Sequence, residues 1–326
     1  MDKTPRLNRR RVLAGATAMA AFGAVAGGVT LPGAAHAAGD GHGLRIVDRN
    51  ENPGRLQYYR FATDSIGWDP GVNVLLPDGY HTSGKRYPVL YLLHGGNSDF
   101  RDFHLNHNVV GLTAGRELIV VMPDAATGWY CNPVSNFTTP RDWEHFHMSQ
   151  LVPWIDSNFR TYAEFNGRAV AGFSMGGFGA MKYTAKYFGH FCSTSAYSGP
   201  TSLRRDAGVV VHWANLTSSV LELAGGMVYG APWDEARVTA DNPMEQIEKY
   251  RGKRVFLSAG STPDPIDWTG TITEFEVLQG QREFRAALSR AGIPFEAHEF
   301  DGDHEFRREL FTQDLNGMMA RLRTAA

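Results

Sequence analysis

The stretch Ala169-Val170-Ala171-Gly172-Phe173-Ser174-Met175-Gly176-Gly177 is an apolar run that ends in Gly-x-Ser-x-Gly and opens onto a helical pattern reaching Tyr187. The apolar run reads as a buried strand, so Ser174 falls on a tight strand-to-helix turn. Glycine two positions to either side is a steric need, because a side chain there would collide with neighbouring backbone. The turn pushes Ser174 out at the top of a sheet as a candidate nucleophile. A serine hydroxyl is unreactive at neutral pH, so this reading demands a base, an acid to orient it and N–H donors for an oxyanion.

Outward from this turn, short apolar runs alternate with helical patterns. Candidate strands are Gly71 to Leu76, Tyr87 to Leu93, Leu118 to Met122, Arg168 to Phe173, Cys192 to Ser198, Arg254 to Ser258 and Phe295 to Phe300. Candidate helices lie near Trp143 to Phe159, Met175 to Tyr187, Glu274 to Ala291 and Glu305 to Arg323. This βαβ rhythm predicts an α/β fold with a mostly parallel central sheet flanked by helices. Residues 201–253 break the rhythm, since connections in α/β units usually run to about 2–6 residues. They form a cap-like insertion, which either adds core or builds a wall or lid over a cleft.

The strand Tyr87 to Leu93 ends in His94-Gly95-Gly96, a turn that can aim a backbone N–H at a developing oxyanion. The second donor is the N–H of Met175, at the start of the helix after Ser174. His94 itself is expected to pack under the turn. In the chain order Ser, acid, His that accompanies such an elbow, the base follows the last core strand, which places His304 best among the twelve histidines. The acid falls after the strand Arg254 to Ser258, where order alone leaves Asp264, Asp267, Glu274 and Glu276 in play. His104/His107 and His145/His147 are close pairs, but neither belongs to a helical His-Glu-x-x-His and no Cys cluster supports them, so neither a metal nor another cofactor is expected.

The elbow, the run Tyr87-Pro88-Val89-Leu90-Tyr91-Leu92-Leu93-His94-Gly95-Gly96, Val120-Val121-Met122-Pro123, Trp143-Glu144 and Asp241-Asn242-Pro243-Met244-Glu245-Gln246-Ile247 together resemble the esterase group of the α/β-hydrolase fold. That group includes mycolyltransferases of the antigen 85 type, esterase D and S-formylglutathione hydrolase. The resemblance covers about Gly67 to Leu310. It implies a catalytic Glu at the start of a helix, ten positions before a core Phe; Phe284 then points to Glu274, with Glu276 the nearest rival. It also implies oxyanion donors at Gly96 and Met175. The segments after Gly96 and His304 do not reproduce the aromatic and polar pattern that accompanies trehalose binding.

Arg9, Arg10 and Arg11 precede a stretch, Val12 to Ala38, free of Asp, Glu, Lys and Arg and carrying Ala35-His36-Ala37 near its end. This reads as a twin-arginine export signal, residues 1–37, cleaved after Ala37 and leaving a single hydrolase domain at 38–326. Gly15, Gly23, Gly27, Gly28, Gly33 and Pro32 make the stretch too weakly apolar for a stable membrane span. The full chain of 326 residues holds 32 Lys and Arg against 34 Asp and Glu, a net −2. The signal takes five basic residues and one acidic one, leaving 27 against 33, or −6. That balance gives no footprint for nucleic acid, so the partner is expected to be a small-molecule or lipid ester. Export also argues against a glutathione thioester, whose chemistry belongs to the cytosol.

The expected activity is that of a secreted serine esterase working through an acyl-enzyme. Its rivals are an acyltransferase passing the acyl group to a sugar or lipid hydroxyl, and a noncatalytic binding protein on the same scaffold. Phe100, Phe103, Trp129, Tyr130 and Trp213 are candidate pocket aromatics. Cys131 falls near the carboxyl edge of the sheet and Cys192 at the opposite edge, on the order of 20 Å apart, so two free thiols are expected.

Overall fold

The computed structural model describes residues 38–50, 54–221, 226–263 and 268–324. The arginine-led signal, residues 1–37, lies outside the described residues, as do Asp264 and Asp267. Among the described residues, β1 (Arg45–Arg49), β2 (Leu56–Ala62), β3 (Gly71–Leu75), β4 (Val89–Leu93), β5 (Ile119–Pro123), β6 (Arg168–Phe173), β7 (Ser193–Tyr197), β8 (Arg254–Gly260) and β9 (Glu296–Phe300) form one sheet in the order β1-β2-β3-β5-β4-β6-β7-β8-β9. From β5 to β9 the pairs are parallel, whereas β1, β2 and β3 run antiparallel at one side.

The helices are α1 (Asp102–Leu105), α2 (Val109–Leu112), α3 (Trp143–His145), α4 (Val152–Asn158), α5 (Met175–Lys186), α6 (Arg205–Leu216), α7 (Glu235–Asp241), α8 (Trp268–Arg290) and α9 (Arg308–Arg321). Strand residues alternate between two cores, as the pleat dictates. On β4, Val89, Tyr91 and Leu93 pack with Trp154 of α4 and Phe178 of α5. Leu90 and Leu92 face Phe311, Leu315 and Met318 of α9 on the other side. Cover on both faces explains why the central strands are continuous apolar runs.

The seven strands expected from the sequence all form, with ends shifted by no more than two residues. Missed were β1 and β2, whose half-exposed, charge-bearing sequences lack that continuous signal. Three helix expectations need correction. α8 begins at Trp268, so Glu274 lies inside the helix rather than at its start, and α9 begins at Arg308 rather than Glu305. The segment 143–158 is divided by a π-helical turn over Phe146–Leu151; Pro153, in the first turn of α4, has no N–H for an α-helical bond.

The insertion is tied to the body at points along its described length, among them the following. At its start Arg205 reaches Glu276 and Glu283 of α8, at 3.2 and 3.1 Å. At its middle Thr217 accepts a hydrogen bond from Trp129 Nε1 at 2.8 Å, and its carbonyl accepts one from Thr127 Oγ1 at 3.3 Å. Further along, Asp241 lies 3.0 Å from Lys186 and 3.5 Å from the fully buried Lys182, both of which also pair with Glu144. Burial alone would raise the Glu144 carboxyl; the two ammonium groups more than offset it and hold it at about 2. The Trp143-Glu144 and Asp241-Asn242 motifs thus meet in one buried ion network.

Both cysteines are buried and free. Cys131 lies 3.0 Å from Lys182 Nζ, with its thiol pushed up to about 11 by burial, while Cys192 packs in the α9 core. Among the described residues no helix is long and apolar enough to cross a membrane.

Candidate active site

The parallel register lines up Leu93 with Gly172, Phe173 with Tyr197 and Gly260 with Phe300, so the segments that follow these strands gather at one end of the sheet. Ser174 sits there in a strained backbone conformation, φ 55° and ψ −122°, with its N–H donating to Tyr197 O at 2.8 Å. A Cβ at Gly172 would run into the Gly176 backbone, and one at Gly176 into the carbonyls of Leu93 and His94. These contacts are the collisions expected from the motif.

His304, in the turn after β9, stands between Ser174 and Glu274. Its Nε2 is 2.7 Å from Ser174 Oγ, and its Nδ1 is 2.6 Å from Glu274 Oε2. With Nδ1–H donating to the carboxylate, Nε2 is left to accept the serine proton. Glu274 is completely buried, and its other oxygen accepts hydrogen bonds from Ser198 Oγ, at 2.9 Å, and from the Gly260 N–H. Neither donor was anticipated. Ser198 is the residue just past β7, and only the register of the sheet brings it to a helix 76 positions later. The rival Glu276 pairs instead with Arg205, at 3.2 Å.

Gly96 and Met175 line the same cavity as Ser174 and His304. The N–H of Met175 is in the first turn of α5, where backbone donors lack helical partners. Beneath the glycine turn, buried His94 donates from Nδ1 to Gly95 O at 2.7 Å and accepts the Ala125 N–H on Nε2 at 3.0 Å. Its imidazole is fully used in holding the turn. The paired histidines have separate partners: His104 meets Asn73 at 3.1 Å and His107 meets Asp102 at 3.4 Å, while His147 meets Tyr183 Oη at 2.9 Å.

The cavity measures about 690 Å³. The insertion supplies one wall through Val209, Val210, Trp213, Leu216 and Val220, and Trp129 adds a further apolar surface. With ties to the body along its described length, the insertion is held as a wall of the cleft. Of the candidate aromatics, only Trp129 and Trp213 line this cavity. Phe100 instead stacks on Tyr58, Phe103 packs edge-on to Phe306 in the core, and Tyr130 is buried with its hydroxyl donating to His94 O at 2.9 Å.

Residues 63–322 match the protein family described as "Putative esterase". Esterase Rv1288 of Mycobacterium tuberculosis is 65% identical over 291 residues, an alignment that takes in 88% of this chain and 64% of that protein. The chain thus spans under two thirds of that relative's length. Among solved structures, Mycobacterium tuberculosis MPT51 (FbpC1) superposes with a TM-score of 0.64 at 19% identity, covering 85% of this chain and 100% of the other. An S-formylglutathione hydrolase from Agrobacterium tumefaciens gives 0.64 at 16% identity, covering 85% and 99%. At such low identity these two likenesses concern the fold, a mostly parallel sheet flanked by helices as in α/β hydrolases. With most of its length matched and the serine turn set in that sheet, the chain belongs to this esterase family.

Proposed function

We propose that the protein is an exported serine esterase that cleaves small-molecule or lipid carboxylic esters through an acyl-enzyme. The observation that carries this reading is the hydrogen-bonded line Ser174, His304, Glu274 opening into an apolar cavity. Ser174 Oγ attacks the acyl carbonyl while His304 Nε2 takes its proton, and the N–H groups of Gly96 and Met175 hold the oxyanion. His304 then returns the proton to the leaving alcohol, and water releases the acid by the same steps. Glu274 keeps the imidazole in the tautomer that accepts this proton.

Ser198 and Gly260 support the mechanism one step removed by fixing Glu274. Loss of a buried hydrogen bond to a charged group is worth about 1.5–3 kcal/mol, so Ser198→Ala is expected to lower kcat at least about tenfold with KM little changed. Steady-state kinetics check this; an unchanged kcat would leave Ser198 a packing role only.

Export rests on the arginine-led apolar stretch and on Ala35-His36-Ala37. One experiment tests both halves of the proposal. Protein recovered from the culture medium is treated with a fluorophosphonate and mapped by mass spectrometry. The expected result is an N-terminus at Ala38 and a single adduct on Ser174. Protein retained in the cell with an intact N-terminus rules out export, and an adduct elsewhere rules out the nucleophile.

A further inference from the structure

Glu276 lines the cavity but takes no part in the line from Ser174 to Glu274. It lies two residues beyond Glu274 on α8, a spacing that turns it to a different side of the helix, toward the insertion. Its side chain is only 12% exposed, with Oε2 at 3.2 Å from Arg205 Nε. That guanidinium is shared, since Asp206 and Glu283 each approach it at 3.1 Å. One cation therefore serves three carboxyl groups, of which Glu276 lines the cavity, beside the apolar Val209, Val210, Trp213 and Val277 and with Asp303 as a second carboxyl in the lining. A surplus negative charge in such a setting acts over a longer range than it would in water.

We propose that Glu276 is a specificity-determining residue, its carboxyl held by Arg205 so that the cleft accepts uncharged esters and turns away those with an anionic group. The inference rests on the ester-hydrolysis reading of the same cavity and narrows its substrates to neutral esters. A purely structural role, as a tie between α6 and α8, is the competing account. That role would affect all esters alike, whereas a charge filter changes the ratio between a neutral and an anionic one.

The filter is also graded by pH. Burial first, then a hydrogen bond with the Asp206 carboxyl, raise Glu276 to about 7, against the opposing pull of Arg205. The charged groups around it are Arg205 and Asp206 from α6, Glu283 from its own helix, and Asp303 and His304 elsewhere in the cavity lining. A carboxyl with this midpoint is mostly neutral at about pH 6 and mostly ionised at about pH 8. Discrimination therefore strengthens as the pH rises.

The test compares p-nitrophenyl hexanoate with mono-p-nitrophenyl adipate, which share a chain length and leaving group and differ in a terminal methyl or carboxylate. The wild-type ratio of kcat/KM, neutral over anionic, is expected to be larger by roughly tenfold at about pH 8 than at about pH 6. In Glu276→Gln it is expected to stay at the low value at both. A ratio that is the same at the two pH values in the wild type, or that keeps its rise in Glu276→Gln, overturns the filter. The wild-type pH comparison stands even if the variant folds poorly. Ser174→Ala run alongside separates the two proposals: its loss of hexanoate turnover upholds the esterase reading whatever the ratio does, and its retention would remove the basis of both.

Discussion

Ser174→Ala is expected to lower kcat for short p-nitrophenyl esters by about 10⁶, the loss seen when the nucleophile of such a line is removed. The size follows from what the hydroxyl does in this geometry. At 2.7 Å from His304 Nε2 it already points its proton at the base, and among the described residues no other hydroxyl shares that contact. The variant would keep the N–H groups of Gly96 and Met175, so a residue of about 10³–10⁴ over the uncatalysed rate is expected to survive. Kinetics on purified protein, with the wild type titrated by fluorophosphonate to count active sites, give the comparison. Turnover within about tenfold of wild type would put the chemistry on another residue.

The largest effect on stability is expected at Lys182. Its ammonium is fully buried, lies 2.6 Å from Glu144 and 3.5 Å from Asp241, and donates to the Tyr130 carbonyl at 2.9 Å. Lys182→Met removes the cation but leaves two desolvated carboxylates with only Lys186 between them, a loss of about 3–5 kcal/mol. Because Asp241 ties the insertion to α5, loosening should begin there. The midpoint of urea denaturation checks the prediction. Adding Glu144→Gln and Asp241→Asn to Lys182→Met should recover part of the loss, because the leftover charges then disappear. A Lys182→Met midpoint equal to wild type would mean the network is stability-neutral. The same network confers acid sensitivity. With Glu144 held at about 2 against an ordinary 4.5, its contribution is in place above about pH 4.5 and is lost as the pH falls toward 2.

The fold was legible wherever burial acts on both faces of a strand. Val89 to Leu93 and Arg168 to Phe173 are near-continuous apolar runs for that reason, and their helices follow in turn. In contrast, β2, Leu56 to Ala62, mixes Gln57 and Arg60 with aromatics, and its pairing with β3 is a tertiary fact that no local pattern announces. At the site, Ser174 and His304 were legible because each closes a strand. The acid was not, since it sits within α8 and nothing local separates four nearby carboxyls; family resemblance pointed to Glu274. What singles it out physically is the pair of donors from Ser198 and Gly260, brought together by strand register. The Trp143-Glu144 and Asp241-Asn242 motifs were visible only as family marks until their meeting at Lys182 supplied a cause.

An open sheet leaves unpaired N–H and C=O groups along both margins, which makes each margin a template for a second chain. Here the margins are β1, Arg45-Ile46-Val47-Asp48-Arg49, and β9, Glu296-Ala297-His298-Glu299-Phe300. Both are five residues long and carry charge; the pairing of β1 shifts register between Ile46 and Asp48, and Arg282 and Arg285 of α8 converge on Glu299 of β9. A second copy docking strand to strand would bury like charges against each other and meet a kinked partner. Charge and kink thereby disfavour edge-to-edge pairing between copies of the described sheet.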